Sequence, residues 1–374
     1  MANGRIKVLI VDDSPVAVVV LKRILTASEE IEVVGTARHG KEALEMIPRL
    51  RPNVICTDLH MPQMNGFEFV KEVMARHPLP ILVISVSVCK DNEENVFHLL
   101  EAGAIDVFPK PQGMLIGQSD KFSSELIAKI KVLSGVVTFR KQRKKIITTP
   151  LHSQDARRVK PCADDSNGAL PQIEPLTRRL RIIVIGASTG GPQALETILA
   201  ELPSDFSIPI VCVQHISEGF MSGLVDWLKK RCKLTVSIIK HNERPVPGNI
   251  YFAPDNRHLK IDKNGTFVLN NDPPVEGHKP SITLAMTSLS EYYHGGVLGV
   301  LLTGMGRDGA HGMLAISQAG GVTIAQDEES SIIFGMPEQA IKLDAAKYIL
   351  DINKIGRVLA KFECNEKNLA YDRH

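Results

Sequence analysis

Three side chains far apart in the chain have the types that nucleophilic chemistry needs. Ser188 lies in Gly186-Ala187-Ser188-Thr189-Gly190, a G-x-S-x-G that follows the apolar run RIIVI and precedes Pro192. Small neighbours let a tight strand-to-helix turn push the serine oxygen outward. Proline favours the first turn of a helix, whose N-terminus attracts negative charge. Alone the pattern is weak, because Gly-Ser-Thr turns that cap helices are common. His215 follows IVCVQ, and Asp308 follows VLGVLLT at a short distance. A lone histidine at a strand end is more often framework than catalyst. Topology lifts the set: each residue falls beyond the carboxyl end of a parallel strand, where open α/β sheets bind ligands. Ser188 then reads as nucleophile, His215 as general base and later acid, and Asp308 as the group fixing the imidazole tautomer. The order Ser, His, Asp differs from that of the α/β-hydrolases, where the acid precedes the histidine. Glycines around Met305 leave backbone N–H groups to face an oxyanion, each such donor being worth about 2.7–4 kcal/mol of barrier.

The loop that carries Asp308 has a second reading. Gly304-Met305-Gly306-Arg307-Asp308-Gly309 is formally G-x-G-x-x-G between a strand and a helix, with Asp327 near the position of a ribose-binding acid. Two features oppose dinucleotide binding: little chain follows Asp327 to complete the sheet, and Asp308 would repel a pyrophosphate.

A separate acidic constellation lies in the first third of the chain. Asp12 and Asp13 close the run KVLIV, Asp58 closes NVICT, Ser85 ends ILVIS, and Lys110 follows VFP. Gathered at strand ends, three carboxylates need a hard cation, and Mg²⁺ fits oxygen ligands. An aspartate beside such an ion and a lysine is set to attack a phosphoryl donor.

These residues require a scaffold of alternating strands and helices. In the first segment, Ile6–Val11, Glu32–Thr36, Val54–Thr57, Ile81–Ser85 and Ala104–Phe108 read as strands, separated by amphipathic helices. A last helix spans about Lys121 to Leu133. From Leu180 a second series begins, with RIIVIGA, IPIVCVQ, LTVSIIK, VLGVLLTG and GVTIAQD as strands and a hairpin excursion over NIYFAPDNRHLKI and TFVLNN. The expectation is two doubly wound α/β domains with parallel sheets, a flavodoxin-like one followed by a Rossmann-like three-layer one. Between them, FRKQRKK…ARRVK carries Arg140, Lys141, Arg143, Lys144, Lys145, Arg157, Arg158 and Lys160 against Asp155, a solvated tether or an anchor for anionic surfaces.

The totals agree with this division. A chain of 374 residues exceeds one ordinary core, and a net charge of +2 argues neither for nor against a nucleic-acid partner. The six cysteines are dispersed without a C-x-x-C pair, which reads as reduced thiols. Neither a signal-peptide pattern nor a membrane-length apolar run is present, so a cytoplasmic location is expected.

With DDSP, TDLHMPQMNG and KP at these offsets, residues 1 to about 125 resemble the response-regulator receiver family. The resemblance implies phosphorylation of Asp58, Mg²⁺ held by Asp12, Asp13, Asp58 and the His60 carbonyl, and contacts to the phosphoryl group from Ser85 and Lys110. The longer stretch VISVSVCKDNEEN makes Ser87 an alternative to Ser85, and Pro109 alters the approach to Lys110.

GASTGG, VQHI, LLTGMGRDGAHGM and IIFGMPEQA, with RPVPGNIYFAPDNRHLKI and GHKPSI, resemble the catalytic domain of the chemotaxis protein-glutamate methylesterase family. That likeness places Thr189, Met305 and Gly306 near the oxyanion. It implies hydrolysis of γ-glutamyl methyl esters on chemoreceptors, deamidation of receptor glutamines, a histidine kinase as phosphoryl donor, and a monomer with no nucleic-acid partner. QHISEGF departs from a proline-containing stretch common there, which bears on the receptor entrance. The expected domains are a receiver over 1–135, a linker over 136–179 and a catalytic domain over 180–360. A catalytically silent docking module is the competing reading, and a DNA-acting regulator lacks a helix-turn-helix-like tail.

Overall fold

A computed structural model describes residues 4–86, 93–111, 118–136 and 180–362. In the first unit, β1 (Ile6–Val11), α1 (Pro15–Thr26), β2 (Ile31–Ala37), α2 (Gly40–Leu50), β3 (Val54–Thr57), α3 (Gly66–Arg76), β4 (Ile81–Ser85), α4 (Glu93–Ala102), β5 (Asp106–Pro109) and α5 (Gln118–Leu133) alternate strictly. The parallel sheet has the order β2-β1-β3-β4-β5, the flavodoxin-like arrangement. Every residue of β3 and β4 is buried, as helices on both faces demand. Local signals start the helices: Ser14 caps α1 ahead of Pro15, and Asn65 with Glu68 closes a capping box on α3.

The second unit contains β6 (Ile182–Ala187), α6 (Gly191–Leu199), β7 (Ile210–Gln214), α7 (Met221–Lys229), β8 (Thr235–Ile238), β9 (Asn249–Phe252), β10 (His258–Ile261), β11 (Phe267–Asn270), α8 (Ile282–Tyr293), β12 (Val297–Leu301), α9 (Ala310–Gln318), β13 (Val322–Gln326), α10 (Met336–Lys342), β14 (Tyr348–Leu350) and α11 (Ile352–Leu359). Seven strands form one parallel sheet, β14-β13-β12-β6-β7-β9-β8. Three adjacent central strands, β12, β6 and β7, therefore deliver their carboxyl ends to one crevice.

Several expected elements differ in detail. Only β10 and β11 form the antiparallel hairpin; β9 enters the main sheet between β7 and β8, because Ile250, Tyr251 and Phe252 are apolar on both faces. The strand expected at Ala104–Phe108 begins at Asp106, since the Gly103 and Ala104 amides still bond to the end of α4. The chain beyond Asp327 adds α10, the short edge strand β14 and α11. Ser87, the basic residues from Arg140 to Lys160, and nearly all of the expected linker lie outside the described residues. Cys56, Cys212 and Cys232 are free thiols, and burial pushes the first and last up to about 12.

Candidate active site and phosphoryl-acceptor pocket

Asp308 is the most tightly held of the expected catalytic side chains. It is 1% exposed, and its carboxylate sits at the N-terminus of α8. Oδ1 accepts from Ser281 Oγ at 3.0 Å, Thr283 N at 2.9 Å and Gly309 N at 3.0 Å. Oδ2 accepts from Ile282 N at 2.8 Å and His215 Nε2 at 2.9 Å. Burial by itself would raise this carboxyl, but the His215 hydrogen bond and charge, with the two helix amides, outweigh it and hold Asp308 well below the usual carboxylate range. Gly309 continues the chain into α9 at φ +91°, a conformation that L side chains resist.

An ionised carboxylate only accepts, so His215 Nε2 carries the hydrogen, and in the neutral ring Nδ1 is the nitrogen with the lone pair. Nδ1 is buried and has no hydrogen-bond partner among the described residues. The His215 backbone amide donates to Ala187 O at 2.9 Å, which places the histidine beside the turn that bears Ser188. Gln214 ties the two together: its Nε2 donates to Ser188 O at 2.8 Å and to His215 O at 2.7 Å. Ser188 itself is 9% exposed. The structure thus joins His215 to Asp308 directly and brings Ser188 alongside, with no hydrogen bond from the serine to Nδ1. Such bonds are often loose before substrate binds.

The amides expected at the oxyanion are available. Among the described residues, the Thr189, Met305 and Gly306 N–H groups donate to no protein acceptor. By contrast, the neighbouring Gly304 N–H is committed to Ile333 O at 3.0 Å. The Gly304 carbonyl in turn accepts from Met336 at 2.9 Å, which anchors the loop on α10.

In the first unit, Asp12 and Asp58 are buried and Asp13 is exposed. One carboxylate oxygen from each lies within 4.8 Å of the others. Lys110 Nζ donates to Asp58 Oδ2 at 2.8 Å and to Asp12 Oδ1 at 3.1 Å. Burial raises the Asp12 carboxyl above its ordinary value, and the Asp58 charge adds to this, against the Lys110 and Ser14 hydrogen bonds. Burial would lower Lys110, but its bonds to Asp58 and Asp12 prevail and raise it. The His60 carbonyl accepts no hydrogen bond among the described residues. Hard oxygen donors converging in this way suit a small divalent cation. Ser85 is buried at the end of β4, and its carbonyl accepts from the Lys110 amide.

Comparison with known proteins finds matches to both halves of the chain. The family model described as CheB methylesterase matches residues 183–359, and the response regulator receiver domain model matches residues 8–115. The chain is 40% identical over 356 residues to protein-glutamate methylesterase/protein-glutamine glutaminase 1 of Syntrophus aciditrophicus, covering 95% of this chain and 98% of that relative. This chain belongs to the protein-glutamate methylesterase/protein-glutamine glutaminase family. A second member, from Geobacter metallireducens, is 39% identical over 355 residues, with 95% and 98% covered. The crystal structure of the Thermotoga maritima CheB methylesterase catalytic domain aligns with a TM-score of 0.48 and 37% identity, covering 49% of this chain and 98% of that one.

In this methylesterase family member one residue from each site, Lys110 and His215, borders a shared cleft. A space of about 670 Å³ is lined by Lys110, Lys121 and Phe122 from the receiver and by His215, Asp255 and His278 from the esterase domain. The receiver is fastened at the side of that cleft. Trp227 of α7 stacks on Phe97 of α4 at 5.8 Å and donates to Glu101 Oε1 at 2.9 Å, while Arg231 pairs with Glu101. Gln193 of α6 donates to Ala104 O at 2.9 Å.

Sequence reasoning passed over the residues that brace the methylesterase site. Ser281 and Thr283 hold Asp308 and Gly309, and the fully buried His258 accepts from Ser281 N through Nδ1 at 3.2 Å. His278 stacks on His215. GHKPSI contains two of these, His278 and Ser281, but isolated polar residues in a loop carry no periodicity that would announce their contacts.

Proposed function

We propose that this chain is a phosphorylation-controlled serine hydrolase that demethylates glutamate methyl esters on methyl-accepting chemotaxis receptors and deamidates selected receptor glutamines. The observation that carries this reading is the bonded His215–Asp308 pair, whose histidine backbone joins the Ser188 turn and whose Nδ1 has no partner among the described residues, at three adjacent strand ends. Ser188 Oγ attacks the ester carbonyl carbon as its proton passes to His215 Nδ1. The carbonyl oxygen becomes an oxyanion facing the Thr189, Met305 and Gly306 amides. Collapse breaks the bond to the methoxy oxygen, which takes the Nδ1 proton and leaves as methanol. Water, deprotonated by the same nitrogen, then cleaves the acyl-serine to a glutamate. With a glutamine substrate the first leaving group is ammonia.

The receiver, residues 1–135, takes a phosphoryl group on Asp58 from a chemotaxis histidine kinase. Asp12, Asp13, Asp58 and the His60 carbonyl would hold Mg²⁺, which supplies charge neutralisation for phosphoryl transfer when bound. Lys110 and Ser85 meet the phosphoryl oxygens. Residues 136–179 tether the receiver to the catalytic domain, 180–360, and the protein works as a cytoplasmic monomer. No described helix is long and apolar enough to cross a membrane. Lys110 pairs with Asp58 and also borders the His215 cleft, so phosphorylation alters the wall that covers the esterase site. The test is methanol release from methylated receptor. Wild type releases methanol faster when phosphorylated, and Ser188→Ala releases none while still binding receptor. Turnover by Ser188→Ala at the wild-type rate overturns the assignment.

A further inference from the structure

One hydrogen bond fixes the distance between His215 and Asp308 but leaves the imidazole free to swing about that bond. The ring plane must be set by something else, because rotation would change the direction in which Nδ1 points. His278 supplies the constraint. Its ring lies 4.0 Å from the His215 ring with an interplanar angle of 5°. His278 is itself fixed from both sides in the chain. Upstream, Val275 and His278 bond reciprocally at 3.1 and 2.9 Å, closing a tight turn over Glu276 and Gly277. Glu276 is held by Arg307, with Nε and Oε1 3.1 Å apart, so the turn is pinned to the loop that carries Asp308. Downstream, Ser281, Ile282 and Thr283 all donate to the Asp308 carboxylate. One short segment therefore clamps the carboxylate and lays a ring over the histidine that it orients.

We infer that His278 is a positioning residue of the esterase: its ring face fixes the plane of His215 and supports the imidazolium formed when Ser188 gives up its proton. The inference rests on the serine-hydrolase reading above. A neutral π face stabilises an adjacent cation, and more so away from water. The His215 side chain is 10% exposed, so the cation it becomes has little water to draw on. Burial, with the His215 charge, lowers His278 to about 4 despite nearby Asp308, which keeps it neutral when the esterase works near pH 7. Two facing imidazoles cannot both be cations cheaply, and this arrangement leaves the proton to the one bonded to Asp308.

The experiment compares His278→Phe, His278→Leu and His278→Ala with wild type in the full-length chain. Two readouts serve: methanol release from methylated receptor, and the rate at which a fluorophosphonate probe labels Ser188. The probe reports activation of the serine without the receptor. Phenylalanine keeps a flat π face and is expected to retain both rates to within about threefold. Leucine fills the space without such a face, and alanine empties it; each is expected to lower kcat and the labelling rate by about tenfold, with KM little changed. Leucine matching phenylalanine would reduce His278 to a space filler and overturn the inference, even if alanine fails to fold. Phenylalanine as slow as alanine would overturn it too, by showing that the imidazole nitrogens are what matters. Ser188→Ala is the separating control. Labelling of that variant at the wild-type rate strikes the hydrolase reading itself, whereas its silence beside an unaffected His278→Leu strikes this inference alone.

Discussion

Asp308 combines two duties that are usually separate: it orients an imidazole and it caps a helix. Five hydrogen bonds converge on one buried carboxylate, two of them from the opening amides of α8. In Asp308→Asn one of the two oxygens becomes an amide that cannot accept, so helix cap and histidine cannot both be satisfied. Esterase activity is expected to fall by about three to four orders of magnitude, as loss of the tautomer-fixing carboxylate does in serine hydrolases. Unfolding free energy in urea is expected to drop by about 2–4 kcal/mol, since buried donors lose a charged partner. The pH dependence has a definite sign. The folded-state pKa of Asp308 is depressed, so its stabilisation is complete above the unfolded-chain value near about 4 and is lost as pH falls below it. Denaturation midpoints measured down the acid limb should therefore converge for wild type and Asp308→Asn.

Helix α6 shows how an element transmits precision to a side chain. Its first residue, Gly191, lies against the Gln214 carboxamide so closely that an added Cβ would stand 2.0 Å from Oε1. Gly191→Ala must expel that carboxamide from its bonds to the Ser188 and His215 carbonyls. The expected loss in kcat/KM is about 100-fold, because displacement of about 1 Å at a reacting pair has that effect. Combined with Gln214→Ala the loss should be no greater, and additive losses in this double-mutant cycle would refute the shared cause. The same element shows what could be read from the chain in advance. GASTGG announced the turn, the helix after it and the serine, because glycine, proline and strand ends carry local steric rules. Gln214 gave no signal, since one polar residue at a strand end looks like any other until the sheet order is known. The order also escaped reading at β9: NIYF was apolar enough for a central strand, yet nothing local states which strands it joins. Asp12, Asp58 and Lys110 were legible in advance as a group, because they follow β1, β3 and β5 of one parallel sheet, whose carboxyl ends share an edge.

The two domains meet through α4 on one side and α6 with α7 on the other, with Trp227, Glu101 and Arg231 at the joint. These contacts lie beside the cleft and outside both sets of reacting groups. Weakening them should favour an uncovered esterase without touching its chemistry. In Trp227→Ala the unphosphorylated chain is expected to hydrolyse receptor ester about fivefold faster than wild type, with phosphorylation adding correspondingly less. Receptor methanol release with and without a phosphoryl donor measures both, and an unchanged basal rate would deny the joint a restraining part. A further consequence follows from where the reactive groups of each sheet lie. Both sheets present them at the carboxyl pole of their strands, and Lys110 from one and His215 from the other line one cleft. Signal and response are then separated by the width of a gap, with no relay of side chains needed to span a domain. Whatever wedges into that gap meets both conversations at once.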